Sequence, residues 1–316
     1  MFVTSSHNRS RGGGGAAADA ALRMRRPDAH AGATPPTAQI PMGGIREGMS
    51  DAMTEDRYHY ADGAAIAYQV NGSGNPPVAY AHGVLLSRAA VRGLGILDVE
   101  AIADGRRLLL YDQRGHGHST GRPQPEYYTF EQAGVDLLDL LTAAGFEEPV
   151  DFDGSSLGAA AALYAALVAP QRFRRLVLLI PPAAWEGGNR PVRQWYLDTA
   201  DEIDDIGASA WRQRWAQAPP LPIFADYPPG RFSPDVGDEV AAAALRGVAG
   251  SDLPAPAALA TIDAPTLILA WADDPQHPLA TARELARLMP RATLRVAHTV
   301  DEVKTWTDVA KAFLAP

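Results

Sequence analysis

The chain has 316 residues, of which 47% are hydrophobic and 21% charged, with a formal net charge of −9. This is the composition of a globular protein, long enough for one large domain or two modest ones, and it excludes disordered and collagen-like chains. The acidic balance lacks the basic surface that phosphate backbones demand, so the expected partner is a small molecule and no nucleic acid. Cysteine is absent, which removes disulfide scaffolds, thiolate metal sites and cysteine nucleophiles together. No run approaches the roughly 18 apolar residues of a membrane-spanning helix, and no membrane partner is expected. The oligomeric state is left open.

Residues 1–56 carry Gly12 to Gly15, the Ala/Pro-rich run around Pro35 and Pro36, and scattered arginines, with almost no large apolar side chains. Such a stretch cannot bury enough surface to fold, and a disordered extension is expected. Arg25-Arg26 is followed by Pro27, Asp28 and His30 where an export signal would turn apolar, so the expected location is the cytoplasm. Met49 and Met53 precede the first strand-like sequence and offer alternative starts.

From Arg57 onward short apolar runs alternate with turn residues. Residues 57–61 and 65–70 flank Asp62-Gly63 and read as a hairpin. Further strand-like runs follow at 78–81, 108–111, 150–153, 176–180, 266–270 and 294–297. Between them, residues 130–144 place Ala133, Val135, Leu137, Leu138, Leu140 and Leu141 largely on one side, and 159–167 is an Ala/Leu-rich helix. Strand alternating with helix predicts a mainly parallel sheet covered on both faces.

Residues 185–255 interrupt the alternation. Val192, Trp195, Tyr196 and Ile203, then Trp211 and Trp215, recur at helical spacing, and a Pro-rich irregular stretch runs from Pro219 to Pro234. This predicts an inserted helical cap over a site, with Trp185, Trp195 and Tyr196 as its substrate-binding residues. The expected domains are therefore 1–56, the core in two parts at 57–184 and 256–316, and the insertion between them.

Gly154-Ser155-Ser156-Leu157-Gly158 is a G-x-S-x-G sequence between an apolar strand and an Ala-rich helix. In that context the turn forces the central serine into an exposed, strained position, and the N–H of Leu157 points at a developing oxyanion. Ser156 is the expected nucleophile. A serine needs a base and a group that orients the base. His298, just after the strand-like run 293–297, is the expected base, and Asp273 or Asp274, after the run 267–270, the expected acid. The order Ser, Asp, His belongs to one specific fold.

The motifs together resemble the α/β-hydrolase superfamily from about Arg57 to the C-terminus. His82-Gly83 is similar to its oxyanion loop, and Tyr111-Asp112-Gln113-Arg114-Gly115-His116-Gly117-His118-Ser119 to its D-x-R-G-x-G-x-S turn. Gly154 to Gly158 matches the nucleophile elbow, Asp274 with Pro278 the D-x-x-x-P acid turn, and His298 with Phe313-Leu314 the terminal histidine and closing helix. The resemblance implies an eight-stranded, mainly parallel sheet flanked by helices with an inserted cap. It selects Asp274 over Asp273 and adds the N–H of Val84 as second oxyanion donor. It gives His82 a structural role, His116 and His118 no metal, and His277 a place on the loop or rim. No cofactor is implied.

Three departures stand out. Asp153 occupies a position before the elbow where the family usually has an apolar residue, and with Asp151 it puts two carboxylates on one side of that strand. Buried there, Asp153 would need an arginine or a proton. Ala159 stands where glycine often follows the elbow, and Ala297 where glycine often precedes the histidine. The function expected from these residues is a serine hydrolase acting on a small carboxylic ester or lactone through an acyl-enzyme on Ser156. The same residues also suit acyl transfer, perhydrolysis or C–C hydrolysis, and a slow or non-catalytic ligand-binding protein of the same fold is the alternative from another class.

Overall fold

The computed structural model describes residues 55–219 and 233–315. The expected disordered extension lies outside the described residues except for Glu55 and Asp56, and so does most of the Pro-rich stretch 219–234.

Eight strands form one sheet in the order β1-β2-β4-β3-β5-β6-β7-β8. They are β1 Arg57–Ala61, β2 Ala64–Asn71, β3 Gly74–Ala81, β4 Arg106–Tyr111, β5 Val150–Ser155, β6 Phe173–Leu179, β7 Thr266–Trp271 and β8 Ala292–Ala297. β1 pairs antiparallel with β2 and β2 with β4, while every other pairing is parallel. Asp62 and Gly63, both at positive φ, close the expected hairpin. β3 begins four residues earlier than its apolar run suggests. Pro76 and Pro77 hide that start in the sequence, and the pairing with β4 shifts register between Gly74 and Val78.

The helices are α1 Arg88–Leu94, α2 Val99–Ala103, α3 Phe130–Ala143, α4 Leu157–Val168, α5 Trp185–Ile206, α6 Ala208–Gln217, α7 Ala241–Ala249, α8 Pro256–Leu259, α9 Leu279–Leu288, α10 Val300–Lys304 and α11 Trp306–Leu314. Strand side chains alternate between two apolar layers, as the pleat requires. Ala79, Leu109, Tyr111 and Phe152 join the layer that holds α3 and α4. Val78, Tyr80, Leu108, Leu110, Val177 and Leu269 join the other, with Ile102, Trp306, Ala310 and Leu314 of α2 and α11. Helices therefore cover both faces of a mainly parallel sheet.

The two carboxylates on β5 meet different fates. Asp151 is fully buried and accepts from Arg106 Nη1 at 2.7 Å and Arg174 Nε at 2.8 Å, and both guanidinium groups also reach the carbonyl of Leu314 at 3.1 and 3.2 Å. The pair thus neutralises Asp151 and satisfies a carbonyl at the C-terminal end of α11. Asp153 is equally buried, and neither of its carboxylate oxygens has a hydrogen-bond partner among the described residues. Burial pushes its pKa well above the usual carboxylate range. Asp153 thus lacks an arginine among the described residues, and its shift runs towards the other expected condition, a proton.

β3 is followed in the chain by β4 on one side of it and flanked by β5 on the other. The carboxyl ends of β3 and β5 therefore meet where the winding of the sheet reverses, the place where open α/β sheets form a crevice. The loop after β3 and the turn after β5 face each other there.

Candidate active site

The turn after β5 is built around Ser156, which sits at φ 50 and ψ −107, a conformation that a non-glycine residue adopts only when its surroundings enforce it. Its N–H donates to the carbonyl of Leu179 at 3.0 Å, and α4 starts at the next residue. Helix begins at Leu157, two residues earlier than the apolar run predicts, because Gly158 lets the first turn press on β3. A Cβ at Gly158 would lie 2.2 Å from the Ala81 carbonyl oxygen. The N–H of Leu157 is then the first of α4, with no carbonyl a turn before it to accept it.

Across the crevice runs the loop after β3. Gly83 passes so close that a Cβ on it would meet Ser156 Cβ at 3.3 Å. Two histidines fasten this loop to the turn after β4. His82 Nδ1 donates to the Gly83 carbonyl at 2.8 Å while its Nε2 accepts from the Gln113 N–H at 2.9 Å. His116 Nδ1 donates to the Arg114 carbonyl at 2.8 Å and its Nε2 accepts from the Leu85 N–H at 3.2 Å. Both rings are buried and meet edge to face, with centroids 5.4 Å apart. Burial lowers the pKa of both, that of His116 to about 4, which keeps each Nε2 free to accept. These bonds hold the loop at Gly83 beside Ser156, and they occupy the ring nitrogens of His116.

The same turn is anchored from below. Asp112 accepts from the Arg88 N–H at 2.9 Å, from Arg88 Nη2 at 2.8 Å and from the His118 N–H at 3.0 Å. Arg88 in turn bonds Asp56 at 2.9 Å, and His118 Nδ1 lies 2.5 Å from the same carboxylate. The last residue assigned to the extension is thus part of the folded core.

The carboxylate and the imidazole in line with Ser156 come from one loop. After β7 the chain turns at Asp273, φ 57, and Asp274 folds back on the residues that follow it. Its Oδ1 accepts from the N–H groups of Gln276 and His277 at 2.9 and 3.0 Å, and its Oδ2 lies 2.9 Å from His277 Nδ1. His277 Nε2 lies 2.9 Å from Ser156 Oγ. A carboxylate only accepts, so Nδ1 carries the proton and Nε2 is the nitrogen open to the serine hydroxyl. The Asp274 side chain is fully buried and that of His277 only 12% exposed.

The expected base is corrected here. His298 is not brought to Ser156. It is exposed, one residue past the edge strand β8, and its N–H donates to Glu302 Oε2. The cause is local: Thr299 caps α10, its Oγ1 accepting from the Glu302 N–H at 3.2 Å, while the Glu302 carboxylate turns back to the His298 N–H. His298 precedes the cap and faces out. His277, expected on the loop or rim, is the imidazole that joins Ser156 to Asp274. The signal available in the sequence was Asp274 three residues ahead of His277, a spacing at which an aspartate binds both the backbone and the side chain of its own turn.

The residues expected to bind substrate lie in and around α5. Trp185, at φ 53, donates its N–H to Asp252 Oδ1 at 2.8 Å and its Nε1–H to the Pro254 carbonyl at 3.2 Å. Its indole N–H is therefore spent on fastening the two ends of the insertion. Trp195 packs on Tyr196 and Trp215 at centroid distances of 5.1 and 6.1 Å. Tyr196 is buried, and its pKa is raised first by that burial and then by the Asp274 carboxylate.

A family model described as the alpha/beta hydrolase fold matches residues 76–301, a span holding the loop after β3, the elbow and the Asp274 turn. The chain belongs to the α/β-hydrolase family. Among curated proteins it is 29% identical over 247 residues to one named "Putative carbamate hydrolase RutD" from Caulobacter sp. (strain K31), covering 73% of this chain and 87% of the relative. It is 28% identical over 222 residues to 3-oxoadipate enol-lactonase 1 of Acinetobacter baylyi, covering 67% and 77%. Among solved structures it resembles a hydrolase from Pseudomonas aeruginosa PA01 with a TM-score of 0.67 at 27% identity, over 83% of this chain and 98% of that one. The fold and family expected from the motifs are thus those of the α/β-hydrolases.

Proposed function

We propose that this protein is a serine hydrolase that cleaves a small carboxylic ester or lactone, with Ser156 as nucleophile, His277 as base and Asp274 as the group that orients the base. The observation that carries the reading is the line of two 2.9 Å contacts from Ser156 Oγ through His277 to Asp274. His277 Nε2 takes the proton as Oγ attacks the carbonyl carbon. The oxygen that becomes anionic is received by the N–H groups of Leu157 and Val84, where the N-terminus of α4 adds its positive end. His277 then gives the proton to the leaving alkoxide; a water that loses its proton to His277 attacks the acyl carbon, and Ser156 Oγ leaves with the proton that His277 returns, freeing the acid. In a lactone the leaving oxygen stays tethered, and the ring opens by the same steps.

The substrate class is supported by the company the chain keeps: a relative named for carbamate hydrolysis and one named for enol-lactone hydrolysis. The helices of the insertion 185–255 serve in this reading as a cap. Tyr196 is its substrate-facing residue, with Trp195 behind it, which favours compact apolar acyl groups.

Labelling with a fluorophosphonate probe tests the assignment. The wild type and Ser155→Ala should label, and Ser156→Ala should not. Labelling that survives in Ser156→Ala would remove the proposed nucleophile.

A further inference from the structure

Two hydrogen bonds hold the His277 imidazole, one at each nitrogen, to Asp274 and to Ser156. Bonds at Nδ1 and Nε2 fix where the nitrogens lie, yet they leave the ring free to tip about the line that joins them. A third contact from outside that line is needed to set the plane of the ring.

Trp271 supplies such a contact. It is the last residue of β7, buried, three residues ahead of Asp274, and its ring meets that of His277 at a centroid distance of 6.4 Å and an interplanar angle of 76°. Trp271 is itself held from behind. Trp306, at the start of α11 and buried, stacks on it at 5.7 Å with an angle of 21°. The aromatic column Trp306–Trp271–His277 therefore ends on the imidazole.

We propose that Trp271 is a positioning residue for the reaction, which sets the tilt of the His277 ring and so keeps Nε2 aimed at Ser156 Oγ. The proposal rests on the reading of His277 as the base. Both ring nitrogens already have partners, so the indole acts through its packed surface rather than by taking a proton. Edge-to-face contact suits this task, because sliding or tipping either ring breaks it. Attraction between the indole and a charged imidazolium is the smaller contribution, since 6.4 Å lies just beyond the distance of about 6 Å at which such pairs become significant. The base sits on a short turn rather than after β8, and the column ties that turn to the helix packed behind the sheet.

The test is steady-state hydrolysis of p-nitrophenyl acetate by Trp271→Leu and Trp271→Phe, each in the wild-type and His277→Ala backgrounds. Trp271→Leu should lower kcat about 10- to 100-fold, the range that slight misplacement of a reacting group produces, and leave KM within about twofold. Trp271→Phe should recover most of the loss, because a phenyl ring restores an aromatic wall. In the His277→Ala background Trp271→Leu should cost nothing further, since there is no ring left to tilt. Should the leucine variant not fold, Trp271→Met replaces it with a side chain that fills irregular space.

Three results would overturn the inference alone: an unchanged kcat in Trp271→Leu, a phenylalanine variant no better than the leucine, or an equal proportional loss with and without His277. A His277→Ala enzyme of undiminished activity would instead remove the reading of the base, and the inference with it.

Discussion

Asp274 and His277 are three residues apart and bonded both through backbone and through side chain, with His277 Nδ1 2.9 Å from Asp274 Oδ2. One turn after β7 therefore carries both the carboxylate and the imidazole in line with Ser156, and in the proposed mechanism the segment after β8 takes no part. His277→Ala should lower kcat by three or more orders of magnitude, as loss of a triad member does. His298→Ala should stay within about twofold of wild type, the size of effect usual for an exposed side chain outside the site. Equal losses in the two variants, measured as kcat for a p-nitrophenyl ester, would contradict the assignment.

The strand pattern, the elbow sequence and the Asp274 turn were legible because each is written in contiguous residues. Leu108, Leu109 and Leu110 announce β4, and Gly154 to Gly158 spell their turn in five letters. The histidine that meets Ser156 was not, because choosing between two histidines depends on how the turn after β7 curls. The clue that His298 faces away was also present: Thr299 with Glu302 is a helix start, and a residue ahead of a helix cap points where the helix sends it. The common side shared by Asp151 and Asp153 could be read from alternation alone. The arginines that meet Asp151 could not, since Arg106 and Arg174 arrive from other strands.

The loop that carries Val84 should fail first in acid. His116 has its pKa lowered to about 4 from an ordinary value of 6.5, so between those limits the unfolded chain binds the extra proton and the folded one does not. The stability that neutral His116 contributes is full above pH 6.5 and is lost as pH falls towards 4, in total about 3 kcal/mol. His82, shifted in the same direction, adds to the loss. His116→Gln keeps an oxygen that can accept the Leu85 N–H but does not titrate. Its melting temperature should fall less between pH 7 and pH 4.5 than that of the wild type, as read by circular dichroism. Parallel curves for the two proteins would contradict this.

Asp252 joins the two ends of the helical insertion. Its Oδ1 accepts from the Trp185 N–H at 2.8 Å and its Oδ2 from Arg193 Nη2 at 3.1 Å. The carboxylate is 39% exposed, so the ion pair itself contributes little, about 0–1 kcal/mol. Its weight lies in geometry. Asp252→Ala should leave the melting temperature within a few degrees, a shift of the size about 1 kcal/mol produces, while raising KM more than it lowers kcat, because the reacting atoms stay in place and the insertion does not. A kcat effect larger than the KM effect would place Asp252 nearer the chemistry than the fold does.

The two aspartates of β5 should respond to substitution in opposite directions. Asp151→Asn leaves Arg106 with an uncompensated charge beneath the sheet, and breaking a buried pair in this way costs about 3–5 kcal/mol. Asp153 has no such partner among the described residues. Its raised pKa means that the folded state holds a proton which the unfolded state releases once pH exceeds the ordinary aspartate value of 3.8. Stability is therefore lost progressively as pH rises from there towards the folded-state value. Asp153→Leu, close in shape and without polar atoms, should raise the melting temperature at pH 7 and should narrow that gain as the pH is lowered to 4. The rise reflects about 1–3 kcal/mol for an unsatisfied buried group no longer present. A melting temperature for Asp153→Leu below that of the wild type at pH 7 would mean that the carboxyl group has a partner worth more than its burial costs.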